Sequence, residues 1–192
     1  YTGYSVGASG TIRKTTNGGT NWTTSTSPTT NNLYGVSFLN SNTGYVVGAS
    51  GAILQTTDGG TTWTVLSSGT TNQLNSVHFL DINNGYVIGA SGTILRTTNG
   101  GTTWNAQISG TTNQLNSIYF LDSNTAFAVG NSGTILKYSE YPSLSIPAVP
   151  NGLTATKIGT TKVKLDWTDN SANETGFTIY RFSIPIATLS AN

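Results

Sequence analysis

Residues 45–63 read YVVGASGAILQTTDGGTTW, and residues 86–104 read YVIGASGTILRTTNGGTTW. The pattern opens the chain as YSVGASGTIRKTTNGGTNW at 4–22 and returns, shortened, as FAVGNSGTILKYSE at 127–140. Trp22, Trp63 and Trp104 are therefore 41 residues apart (63 − 22 and 104 − 63), and Gly10, Gly51, Gly92 and Gly133 keep that spacing. The connector SGTTNQLNS occurs twice unchanged, at 68–76 and 109–117. A fixed period of this length marks a repeat architecture.

Each unit carries four short strand signals. In the second unit they fall at 33–39, 44–49, 52–57 and 62–66, parted by NSNTG, SG and DGG turns. Four strands in about 41 residues are the content of one β-propeller blade. A β-solenoid is the competing architecture, but its rungs are shorter and do not need four antiparallel strands. Leu33, Val36, Phe38 and Leu39 do not alternate strictly, and the same set returns as Leu74, Val77, Phe79, Leu80 and as Leu115, Ile118, Phe120, Leu121. Such strands are expected to be covered on both faces. The fold class expected is all-β: a partial propeller plus an incomplete β-sandwich.

Composition narrows the function. The chain has 192 residues and a net charge of +1, and charged residues make up 8% of it, against roughly 25% in an average soluble domain. Thr, Ser, Asn and Gly together supply about half of it. No basic run is present, which argues against nucleic acid or an anionic membrane as partner. No apolar stretch approaches the roughly 20 residues of a membrane span. With no cysteine there is no disulfide, thiol nucleophile or thiolate metal site. One His, two Glu and three Arg leave little material for catalysis. No catalytic, cofactor-binding or metal-ligating set is expected, and the chain is read as non-enzymatic.

The segment Thr56-Thr57-Asp58-Gly59-Gly60-Thr61-Thr62-Trp63 resembles the Asp-box of the bacterial-neuraminidase repeat, S/T-x-D-x-G-x-T-W. Its copies substitute Asn17 and Asn99 for the Asp, and Asn21 for the second Thr. The fuller unit, with VGxSGxI ahead of the box, is similar to repeats of the photosystem II stability and assembly factor family, across residues 1–138. Such repeats also occur in secreted bacterial proteins. The resemblance implies a structural role for Thr15, Asn17, Gly19 and Trp22, for Thr56, Asp58, Gly60 and Trp63, and for Thr97, Asn99, Gly101 and Trp104. Physically, an Asx side chain can close such a hairpin by accepting backbone N–H groups, and each Trp is expected to be largely buried on its own blade.

The array is expected over 1–140, with its first unit lacking an innermost strand and its fourth lacking a fourth strand. Pro142, Pro147 and Pro150 mark a stiff linker over 141–150. A second module is read over 151–192. Here VPNGLTAT, KVKLDW and NETGFTIYR resemble the first strands of a fibronectin type III domain, with Val163, Leu165, Trp167, Phe177 and Ile179 as its core. Seven strands make such a sandwich, so the module is expected to be incomplete.

His78 shares a repeat position with Ser37 and Tyr119 and is read as a variable channel or rim residue. Asp81 and Asp122, with Asn40 in the like place, are read as turn formers. Arg13, Arg96 and Lys137 fall at nearly equivalent third-strand sites. A sialidase needs three clamping arginines, and the third arginine, Arg181, lies in the other module. The leading functional expectation is a secreted or cell-surface structural or adhesive repeat protein. Its partners would be copies of itself or other surface proteins, joined head to tail from Tyr1 to the 141–192 end and propagating as a filament. The alternatives are a protein-binding propeller resembling an assembly factor, or a glycan-binding propeller related to glycosidases.

Overall fold

The computed structural model describes residues 1–139, 151–158, 162–168, 170, 176–181 and 184–190. The chain divides into two compact units, Tyr1–Glu140 and Tyr141–Asn192. Its described regular structure is antiparallel strand, relieved only by single 3-10 turns.

The first unit is a succession of four sheets. Blade 1 holds β1 (Gly3–Val6), β2 (Ile12–Thr15) and β3 (Thr23–Ser25). Blade 2 holds β4 (Leu33–Phe38), β5 (Gly44–Gly48), β6 (Ile53–Thr56) and β7 (Thr64–Leu66). Blade 3 holds β8 (Leu74–Phe79), β9 (Gly85–Gly89), β10 (Ile94–Thr97) and β11 (Asn105–Gln107). Blade 4 holds β12 (Leu115–Asp122), β13 (Thr125–Gly130) and β14 (Ile135–Ser139). Within each blade the strands pair in chain order, as tight turns between short strands require.

The core lies between blades. Ile12, Leu33, Val46, Leu54 and Trp63 form one buried cluster across blades 1 and 2. Tyr45, Val47, Leu74, Phe79, Val87 and Trp104 belong to a larger one across blades 2 and 3. β5 and β9 are buried along their whole length, as strands covered on both faces must be.

The SG turn between second and third strands carries a feature not read from the sequence. Ser9, Ser50, Ser91 and Ser132 all take left-handed φ of 54–55°, a cost of about 1–2 kcal/mol each for a residue with a Cβ. The following glycine lets the inter-blade connector come close. A Cβ on Gly92 would sit 1.9 Å from the Thr111 carbonyl oxygen. Gly92 N–H donates to Asn113 O at 2.9 Å in that same approach.

In the second unit β15 (Asn151–Ile158) pairs with β16 (Lys162–Thr168), and β17 (Gly176–Arg181) pairs with β18 (Ile184–Ser190). Leu165 and Trp167 are half-buried, while Lys164 and Asp166 point to solvent and form an ion pair at 2.9 Å. The side chains of Val163, Phe177 and Ile179, and the linker 141–150, lie outside the described residues.

Candidate functional site

Three hairpins share one hydrogen-bond scheme. Thr56 Oγ1 donates to Asp58 Oδ1 at 2.8 Å and accepts from Gly60 N–H at 2.8 Å. Asp58 Oδ1 also accepts from Thr61 and Thr62 N–H at 3.0 and 2.9 Å. The Thr62 hydroxyl donates to Oδ2 at 2.6 Å, and this bond leads the contacts that hold the Asp58 carboxyl down at about 2. In the neighbouring units Asn17 Oδ1 accepts from Asn21 N–H at 3.0 Å and Asn99 Oδ1 from Thr103 N–H at 2.9 Å. Gly19 and Gly101 N–H donate to Thr15 and Thr97 Oγ1. All three threonines are buried.

The hairpin of one blade is gripped by the blade before it. Tyr4 Oη and Lys14 Nζ both donate to Gly59 O at 2.7 Å. One unit on, Tyr45 Oη donates to Gly100 O at 2.9 Å, and Gln55 Nε2 donates to Tyr45 Oη at 2.8 Å and to Gly100 O at 3.3 Å. The register makes Lys14, Gln55, Arg96 and Lys137 the equivalent third-strand residues, facing Tyr4, Tyr45, Tyr86 and Phe127. Arg13 is therefore one residue out of step with Arg96 and Lys137 and aligns instead with Leu54 and Leu95.

An aromatic set accompanies the grip. Tyr4 stacks on Phe38 at 3.7 Å, and Phe38 meets Trp63 edge-on at 6.0 Å. Tyr45 stacks on Phe79 at 3.8 Å, and Phe79 meets Trp104 edge-on at 5.8 Å. Trp63 and Trp104 are buried by this packing. Trp22 is not: it is 41% exposed, against the expectation for all three. Its unit has no inner-strand Phe and no preceding Tyr among the described residues, so the indole lacks the two rings that bury Trp63 and Trp104.

The pattern breaks at the junction of blades 3 and 4. Tyr86 and Phe120 are tilted, with ring centroids 5.0 Å apart. Phe120 faces Ala126 across the β12–β13 pair, where Phe38 faces Gly44 and Phe79 faces Gly85. A Cβ at Gly85 would lie 2.6 Å from the Phe79 ring, so the methyl of Ala126 keeps Phe120 from lying as flat. Tyr138 stands where Thr15, Thr56 and Thr97 stand, and packs beside Tyr86 at 5.8 Å. Gln107 replaces the half-buried Leu66. The result is a largely apolar cleft of about 430 Å³ lined by Tyr86, Ile94, Gln107, Ile108, Ile118, Phe120, Ile135 and Tyr138, with Lys137 at its side. Ile108 and Ile135 are exposed. This is the candidate site. A larger groove, about 800 Å³, is lined by hydroxyls and backbone around Pro28, Ser50, Val65 and Thr70, and a similar one recurs around Ser91, Trp104 and Ser109.

His78 is half-buried, stacks on Phe120 at 5.1 Å, and is pushed below its ordinary pKa by burial. No carboxylate or hydroxyl among the described residues is hydrogen-bonded to it. Asp81 Oδ1 accepts from Asn83 and Asn84 N–H, and Asp122 Oδ1 from Asn124 N–H, each inside its own turn. Among the described residues no cluster of three His, Cys, Asp or Glu could hold a metal, and no helix is long and apolar enough to cross a membrane.

The cleft-forming residues escape a reading of any one unit. Laying the units in register exposes them as Gly to Ala126, Thr to Tyr138 and Leu to Gln107.

The profile of the family described as Photosynthesis system II assembly factor YCF48 matches residues 19–109 and 74–139. Among solved structures, YCF48 from Cyanidioschyzon merolae is similar with a TM-score of 0.61 at 19% identity, over 68% of this chain and 44% of that one. YCF48 bound to D1 peptide is similar with a TM-score of 0.55 at 25% identity, over 73% of this chain and 52% of that one. An ancestral GH74 enzyme shares the fold with a TM-score of 0.59 at 20% identity, over 70% of this chain and 21% of that one. The chain thus spans about half the length of the YCF48 structures it matches. The search of curated proteins found no match.

Proposed function

The chain belongs to the Photosynthesis system II assembly factor YCF48 family, and on that premise we propose that it is a non-enzymatic, protein-binding propeller segment. It would hold a short stretch of a partner polypeptide during assembly. A YCF48 structure at 25% identity has a D1 peptide bound, which favours this reading over a self-assembling adhesive array. The observation that carries it is the cleft at the junction of blades 3 and 4. There the repeat's own packing is interrupted and apolar side chains face an opening of about 430 Å³, within the roughly 300–1,000 Å³ of binding pockets.

Neutral composition fits the same reading. With 8% charged residues, recognition would rest on apolar contact and backbone hydrogen bonds more than on electrostatic steering. The test is titration of the whole chain with the D1 peptide by calorimetry. Saturable binding with a dissociation constant of about 1–100 μM, or roughly −8 to −5.5 kcal/mol, is the expected result. Absence of binding up to about 1 mM would overturn the reading.

A further inference from the structure

We propose that the outer edge of β14 is a peptide-docking edge, occupied by an extended segment of a partner polypeptide that adds as the fourth strand of blade 4. The inference rests on the protein-binding reading above and gives it a place and a mode.

The edge is unpaired among the described residues. Blades 2 and 3 run to a fourth strand, and the sheet of blade 4 ends at β14. The chain continues past β14 but leaves the hairpin code. Tyr138, Glu140, Tyr141, Pro142 and Ser145 stand where Thr97, Asn99, Gly100, Gly101 and Trp104 encode the turn and its anchor one unit earlier. The residues that encode the turn ahead of β7 and β11 are thus replaced in the sequence at this position.

The hydrogen-bonding groups of the edge can be assigned. Gly130 N–H donates to Thr134 O at 2.9 Å. In an antiparallel sheet a residue's N–H and C=O point to the same side and alternate along the strand. Thr134, Leu136 and Tyr138 therefore face β13, and Ile135 and Lys137 face outward. Their counterparts Ile94 and Arg96 pair with Gln107 and Asn105 of β11. A guest strand running antiparallel to β14 would meet the same two outward residues. Such an open row of N–H and C=O groups is a template for strand addition.

The cleft beside this edge sets the chemistry of the guest. At the earlier junctions Trp63 and Trp104, directly before β7 and β11, meet the inner-strand phenylalanines edge-on. Phe120 is the like ring at blade 4, but it is buried beside Tyr86 and Tyr138, and the apolar side chains that the cleft exposes are Ile108 and Ile135. Among the described residues no carboxylate lines the cleft, and exposed Lys137 stands at its side. The fitting guest is an extended, neutral or acidic segment with apolar side chains that meet Ile108 and Ile135. A second copy fits less well, because the symmetric three-pair register between two β14 edges sets Lys137 against its own copy, and like charges directly opposite are unfavourable.

The probe is a labelled peptide copying residues 59–67, GGTTWTVLS, used beside the D1 peptide, with binding to the whole chain read by fluorescence anisotropy. Lys137→Pro removes one outward N–H while leaving the β13 pairing, which edge strands tolerate. Lys137→Ala keeps that N–H. The expected result is saturable binding of both peptides, weakened about tenfold or more by Lys137→Pro and less than about threefold by Lys137→Ala. As a measurement independent of the proline variant's folding, the backbone amide resonances of Ile135 and Lys137 in the wild-type chain should shift on titration. D1 peptide bound equally by wild type and Lys137→Pro, with those amides unmoved, overturns the edge and leaves the binding reading standing. Binding of the strand copy at the edge without any binding of the D1 peptide supports the edge and removes the binding reading. A dimer that Lys137→Pro dissolves makes the occupant a second copy and overturns the proposal.

Discussion

The junction between blades 2 and 3 and the junction between blades 3 and 4 are built from equivalent positions and end differently. At the first, Tyr45 lies flat on Phe79, Trp104 closes the edge of that ring, and Leu66 packs against the cluster. Tyr45 and Gln55 together hold the Gly100 carbonyl. At the second, Ala126 lifts Phe120, Tyr138 takes a threonine's place, and Gln107 stands for Leu66, leaving a cleft. A few substitutions, together with a blade 4 sheet that ends at β14 among the described residues, turn a sealed interface into an open one. A repeat protein can in this way carry a site where its period lapses.

The largest difference should come from the anchoring tryptophans. Trp104→Ala is expected to cost about 3–5 kcal/mol, the usual range for a buried large aromatic, whereas Trp22→Ala should cost under about 1 kcal/mol, as exposed positions do. Equilibrium denaturation of both variants checks this, and equal losses would mean that Trp22 is buried in solution. Next comes the glycine under the ring. Gly85→Ala forces a methyl to within 2.6 Å of Phe79 and should cost about 1–3 kcal/mol through overpacking. Ala126→Gly should cost less than about 1 kcal/mol.

Smaller effects follow from the grip. Tyr45→Phe removes a donor to Gly100 O and should cost about 1 kcal/mol, with Gln55 retaining part of the hold. Tyr86→Phe should fall within about 0.5 kcal/mol, since no hydrogen bond to its hydroxyl is present among the described residues. Thermal melts of the two variants side by side distinguish them.

The smallest effect separates the hairpins by pH. The Asp58 carboxyl is held at about 2, below its ordinary 3.8, chiefly by the Thr62 hydroxyl. A lowered folded-state value stabilises the folded chain above the unfolded pKa. That contribution is lost as pH falls from about 4 towards about 2. Asp58→Asn should flatten part of the acid limb of a melting-temperature profile, because Asn17 and Asn99 close the same turn without titrating. A residual slope should remain from Asp81, lowered mainly by the Asn84 side chain. An unchanged acid limb in Asp58→Asn would contradict the assignment.

Much of the fold was legible because period, turn chemistry and strand length are local. The spacing of Trp22, Trp63 and Trp104 placed the blades, and the TTDGGTTW stretch placed the hairpin between β6 and β7. The left-handed serines were not legible, since Ser is an ordinary residue at a position that φ of 55° makes unusual, and Ser132 keeps that φ even where no described residue approaches Gly133. The cleft was not legible either. Its lining joins Tyr86, Ile118 and Ile135 from three strands of two blades, and its existence depends on ring tilts that follow from the Cβ of Ala126. Trp22 was misjudged for the same reason: burial of that indole is supplied by a neighbouring blade's Tyr and an inner strand's Phe, and the motif itself carries neither.

The most direct measurement is amide hydrogen exchange of the free chain at the two third strands. Ile94 and Arg96 donate outward into β11, so their amides should exchange at least about a hundredfold more slowly than those of Ile135 and Lys137. That gap, closing when a peptide binds, is what an open fourth-strand position at the junction of blades 3 and 4 predicts. Equal protection of all four amides in the free chain would contradict it, because the edge of β14 would then already be covered.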